Sequence, residues 1–176
     1  NSLNVLSYGA SQTLTATQQA TARTNVSSAL RGHIFGLTLS NNVTDATNDI
    51  DIATGEASST ETNPVLMVLG SALTKRLDAA WAVGTGNGGL DTGSIADTTY
   101  HIWLIQRSDT GVVDVLFSAS ASSPTMPTNY DRKRRIASII RASSAIVGFT
   151  QSGDIFTRKI PVLSVDANNP GASAVS

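Results

Sequence analysis

The chain predicts an all-β protein: a compact sandwich or jelly-roll-like domain behind a short α-helical N-terminal arm. Three observations carry this. From Ile34 onward, short apolar or alternating segments are broken by Gly, Asn, Asp, Ser and Pro, at the spacing of a β-sandwich or barrel. Ser and Thr supply about a quarter of the chain, whereas charged residues are only 14%, below the usual share. Ahead of this region lies one small, polar, alanine-rich stretch, Ser7 to Val26, with a helix-start signature.

The arm is assigned to residues 1–32. Leu3, Val5 and Leu6 are its apolar cluster before the helix. Thr15 is followed three residues later by Gln18, the spacing at which a hydroxyl caps a free helix N–H and an amide side chain caps back. Ala16, Gln18, Gln19, Ala20, Ala22 and Arg23 favour helix. Two ends are open: a left-handed cap at Asn25, or a longer helix to Leu30 that stops at Gly32. Either helix is too short to stand alone in water. The arm therefore calls for partners.

The β-rich domain is assigned to residues 33–165. Ile34 to Ser40 reads as a first strand with Phe35, Leu37 and Leu39 on one face. Asn41-Asn42 is a turn. Asp49 to Ile52 alternates as a half-buried strand does. Pro64 to Leu69 is a continuous apolar run, read as a fully buried strand or part of a subunit interface. Ala72 to Leu77 is a strand or one helical turn. Thr85 to Ser94 reads as a glycine-rich loop. Tyr100 to Arg107 and Val112 to Ser118, joined by Asp109-Thr110-Gly111, make a hairpin. Ser123-Pro124 and Met126-Pro127 break the chain. Arg134 to Arg141 and Ala145 to Gln151 form another pair, and Ser152-Gly153-Asp154 turns into Ile155 to Arg158. Residues 166–176 read as a tail or linker.

Few residues carry chemistry. Without cysteine, disulfides, thiolate nucleophiles and Cys-ligated zinc are excluded. The net charge of −1 gives no global field for nucleic acid or anionic membrane, and no run spans a bilayer as a helix. Gly84 to Gly89 lacks phosphate-loop spacing. Asp91-Thr92-Gly93 has no second copy to form an aspartic dyad. His33 and His101 lack both zinc spacing and a G-x-S-x-G serine partner. Asp45, Asp49 and Asp51 could offer oxygens to calcium, but read first as a solvated strand face. A glycan-cleaving enzyme would need two carboxylates facing across a groove, and the acidic residues lie mostly in turns. Asp131 to Arg135 reads as a solvated turn, or as arginines paired across a subunit boundary. Trp81 and Tyr130, near loops, are the candidate sugar-stacking residues; Trp103 belongs in the core. No cofactor or metal is expected.

The arm resembles a known pattern. Gln12-Thr13-Leu14-Thr15, Gln18, Ala22-Arg23 and Asn25-Val26 are similar to a stretch of tail-fibre and related appendage proteins of bacteriophages and prophages, where it precedes a distal β-rich domain. The family form continues with Gly-Ala, where this chain has Ser27-Ser28-Ala29. Trp81 to Arg107 and Ala121 to Ile136 also look like phage virion proteins. The resemblance implies a non-enzymatic structural protein of a phage particle: a fibre, spike or tail component located in the virion. It implies a homotrimer held through Leu14, Thr15, Gln18, Ala22 and Val26, bound to other virion proteins. A host-receptor module that binds a bacterial surface glycan is the alternative.

Overall fold

A computed structural model describes residues 13–15, 18, 22 and 31–159. The described part is built from thirteen strands, with no helix among residues 31–159. The all-β class therefore stands. The helical arm is not supported: its helix lies outside the described residues, apart from positions 15, 18 and 22.

The first expected strand is two. β1 (Ile34–Gly36) and β2 (Leu39–Asn41) are separated by a bend in which Gly36 and Leu37 both take positive φ, 68° and 54°. The bend moves the chain from one sheet to another. It also turns Phe35 outward, 70% exposed, while Leu37 and Leu39 enter the core. β3 (Asp49–Ile52) alternates as expected, with Ile50 and Ile52 fully buried. β4 (Gly55–Ser58) and β5 (Leu66–Leu69) follow. β5 is not buried on both faces: Met67 and Leu69 point inward, but Val68 is half exposed.

β6 (Leu73–Ala80) resolves the strand-or-turn ambiguity in favour of strand. β7 (Asn87–Leu90) runs through the stretch expected to be a glycine loop, and Gly88, Gly89 and Leu90 are buried. The glycines are required by close approach. A Cβ on Gly88 would lie 2.0 Å from the Ala80 carbonyl oxygen, and one on Gly89 would lie 2.7 Å from the Phe117 ring. β8 (Thr99–Arg107) and β9 (Val113–Ser118) form the expected hairpin. β10 (Tyr130–Ala142) starts earlier than expected and absorbs the basic run. β11 (Ala145–Ile146), β12 (Phe149–Ser152) and β13 (Ile155–Arg158) complete the set.

One eight-stranded sheet has the order β11-β10-β8-β9-β7-β6-β3-β2; a three-stranded sheet has the order β1-β4-β5, and β12 and β13 pair alone. The large sheet is nearly closed into a barrel, in place of the expected two-layer sandwich. Its edge strands β2 and β11 share no ladder; β12, which follows β11 in the chain, is tied to β2 by side-chain bonds. Leu39 donates its N–H to Gln151 Oε1 at 2.7 Å, and Phe149 donates its N–H to Asn41 Oδ1 at 3.2 Å. Ile146 N–H reaches the Thr47 carbonyl at 2.9 Å. The main core includes Ile50, Leu77, Ile102, Leu104 and Phe117 from the large sheet and Ala57 and Met67 from the small one. Because β8 and β9 are covered on both faces, a second cluster of Trp103, Ile105, Leu116 and Tyr130 lies behind them.

Candidate functional site

β7 pairs in parallel with both β6 and β9, whereas the other pairings are antiparallel. A parallel connection ordinarily needs a crossover of about a dozen residues or more, usually with a helix. Here residues 81–86 suffice to bring Asn87 back beside Lys75. Lys75 holds this return. It is completely buried, and its ammonium donates to the carbonyls of Ala82 at 2.6 Å and Gly84 at 3.2 Å. It also pairs with buried Asp114 at 3.0 Å. Asp114 Oδ2 accepts the Gly84 N–H at 2.7 Å, so both charges grip the same turn. Thr74 ties the far end, accepting from Gly86 N–H at 2.8 Å. Burial pushes the Lys75 amine below its ordinary range, against the opposing pull of Asp114.

Trp81 opens this turn and packs against the same charge. Its ring centroid is 5.4 Å from Lys75 Nζ, and its indole N–H donates to the Val115 carbonyl at 3.1 Å. Tyr130 meets Trp81 edge to face, with centroids 5.0 Å apart and planes at 75°. The structure thus brings together the two expected sugar-stacking residues, in an environment that uses them for packing. Tyr130 is 7% exposed, and Trp81 is half-buried with Met126 beside it. Burial raises the Tyr130 phenol, helped by the Asp114 charge. Trp103 is in the core as expected, and its indole nitrogen has no hydrogen-bond partner.

Strand periodicity held the signal for Lys75. It shares a face with Leu73 and Leu77, which is the inward face of β6. Asp114 likewise sits inside the run Val112-Val113-Asp114-Val115, so each charge falls within an apolar strand pattern, while their pairing is set by the sheet.

The remaining candidates are dispersed. Asp45 caps its own turn, accepting from the backbone of Thr47 and Asn48 at 2.9 and 3.1 Å. Asp51 Oδ1 accepts from Asn42 and Thr74 at 2.8 and 2.7 Å. Asp49 titrates above its ordinary value, through burial first and Asp45 second. Among the described residues, no three His, Asp or Glu side chains group as a metal site. His33 contacts Glu56 at 2.8 Å, while His101 contacts Ser138 Oγ at 2.8 Å on another sheet. Asp91 accepts the Thr125 N–H at 2.9 Å.

The run Asp131 to Arg135 is strand, not turn, and several of its side chains find partners within the domain. Asp131 accepts twice from Ser108, which holds its carboxyl below the ordinary range. Arg132 reaches Gln106 at 3.1 Å, Arg134 the Gly32 carbonyl at 3.3 Å, and Arg135 the Ala121 carbonyl at 2.9 Å.

Of the expected attachment residues, Thr15 and Gln18 make the reciprocal capping bonds. Thr15 N–H donates to Gln18 Oε1 at 2.9 Å, and Gln18 N–H donates to Thr15 Oγ1 at 3.3 Å. Leu14 and Ala22 are half-buried. Val26 lies outside the described residues. No helix among the described residues is long and apolar enough to cross a membrane. Comparison with protein-family models, with curated proteins and with solved structures finds no match.

Proposed function

We propose that the chain is a structural, non-catalytic component of a phage-like particle, a fibre, spike or tail protein that self-associates as a homotrimer. The observation that carries the reading is the reciprocal Thr15–Gln18 capping pair. It lies within the motif that resembles phage appendage proteins, and it joins two of the positions that subunit association would use. The β domain agrees with this role. Among the described residues, its one buried charge pair is committed to holding a backbone crossover, with ammonium and carboxylate both hydrogen-bonded to that turn. In this reading Leu14, Thr15, Gln18, Ala22 and Val26 face sister chains or other virion proteins, and the domain behind them is a rigid body presented outward.

A receptor module for a bacterial surface glycan is less well supported. Sugar stacking needs an open aromatic face, and Tyr130 offers only 7% of its surface.

The test is a Thr15→Ala, Gln18→Ala double variant of the full chain. Loss of both caps costs about 1–2 kcal/mol of helix stability. Sedimentation velocity should show association weakened at least tenfold, with the unfolding midpoint of the β domain unchanged. Equal association of variant and parent would remove the arm from the account.

A further inference from the structure

β1 is an unpaired edge. Among the described residues it bonds only to β4, and all three of its residues are exposed. Its ladder places His33, Phe35 and Leu37 toward β4: Ser58 N–H donates to the His33 carbonyl at 2.9 Å, and Leu37 N–H donates to the Thr54 carbonyl at 3.1 Å. Antiparallel bonding alternates along a strand. The peptide groups of Ile34 therefore face the open side. β1 also lines a groove of about 300 Å³ shared with the β12–β13 hairpin, to which Ile34, Phe35, Ile136, Gln151, Asp154 and Phe156 contribute. Phe35 is 70% exposed, and neighbouring Ile155 is 69% exposed. An edge with outward-facing backbone groups beside a groove that offers Phe35, Ile136 and Phe156 among polar side chains such as Gln151 is a receptor for an added strand.

The chain outside the described residues supplies the occupant. Thirty residues precede Arg31, three positions before β1 begins. Their apolar run is Leu3-Asn4-Val5-Leu6, in which Leu3 and Val5 share one face when extended. Residues 7–30 can span on the order of 80 Å when extended, enough to reach a neighbouring molecule. We propose that Leu3–Leu6 of one copy adds as a strand to β1 of another, with Leu3 and Val5 seated in the groove beside Phe35. This rests on the self-association proposed above, and it names the contact by which the arm grips its neighbour.

The chain has no cysteine, so single thiols can be introduced cleanly. Val5→Cys and Phe35→Cys chains are prepared separately, refolded together and oxidised mildly, with sedimentation run in parallel. The proposal expects an oligomer containing a Val5→Cys to Phe35→Cys disulfide between chains, identified by peptide mass. It also expects Val5→Asp to weaken association at least tenfold with an unchanged far-UV spectrum. An oligomer lacking that disulfide, or linked only through two Phe35→Cys thiols, overturns the strand addition and leaves self-association standing. In a chain carrying both thiols, a disulfide confined to single chains overturns the assignment to a neighbour. A monomer at every concentration overturns both.

Discussion

At the scale of single residues, the least ordinary feature is an ammonium and a carboxylate buried side by side in an otherwise apolar wall. Isolating either charge is expensive, whereas removing both together is often tolerated. Lys75→Met should cost on the order of 3–5 kcal/mol in urea unfolding, because Asp114 is left charged and buried. The Lys75→Met, Asp114→Leu pair should cost less than the sum of the two single changes, by about 1–3 kcal/mol. Additive costs would show that the two side chains act independently and that the crossover is held by its backbone bonds. A second residue carries a pH signature. Burial and then the charge of Arg135 hold His101 below the free value of 6.5. The unfolded chain therefore takes up the proton first as pH falls. The stability His101 contributes is complete above pH 6.5 and is lost as pH drops from there through its folded value. His101→Asn should flatten that part of the stability curve, with a change of only about 0.5 kcal/mol at pH 8. An unchanged slope between pH 6.5 and 5 would assign the pH dependence to carboxylates instead.

At the scale of elements, the strands with strong alternation were legible. Asp49–Ile52 and the β8–β9 hairpin match their sequence patterns because burial on one or both faces dictates their residue types. Two elements were not legible, for opposite reasons. β7 is a strand made largely of glycine, so its local chemistry indicates a loop. Its neighbours override that, since the Ala80 carbonyl and the Phe117 ring occupy the space a side chain would need. The first strand reads as continuous, but a positive φ at Leu37 is invisible to hydrophobic pattern. Gly88→Ala and Gly89→Ala should each destabilise by about 1–3 kcal/mol, the usual cost of overpacking a fixed site. Gly70→Ala, where a Cβ meets nothing within 4 Å, should be neutral or stabilising by about 0.5 kcal/mol. Equal effects at the three positions in thermal unfolding would contradict the close-approach account of β7.

At the scale of the whole molecule, the all-β class followed from turn spacing and hydroxyl-rich composition, while the closure of the large sheet did not. The near-closure is held by Gln151 on Leu39, Asn41 on Phe149 and the Thr47 carbonyl on Ile146, contacts more than a hundred residues apart in two of the three cases. No local pattern encodes such pairings. The candidate sugar platform was half legible. Trp81 and Tyr130 do meet, but what surrounds them is set by Lys75 and Asp114 from strands distant in sequence. What the domain is mounted on is a question of assembly, and the proposed assembly is self-association through the arm. Sedimentation equilibrium of the full chain measures it most directly. A homotrimer gives a species of three times the 18.3 kDa chain mass, persisting on dilution to low micromolar concentration. A single species at the chain mass across the whole concentration range would contradict it.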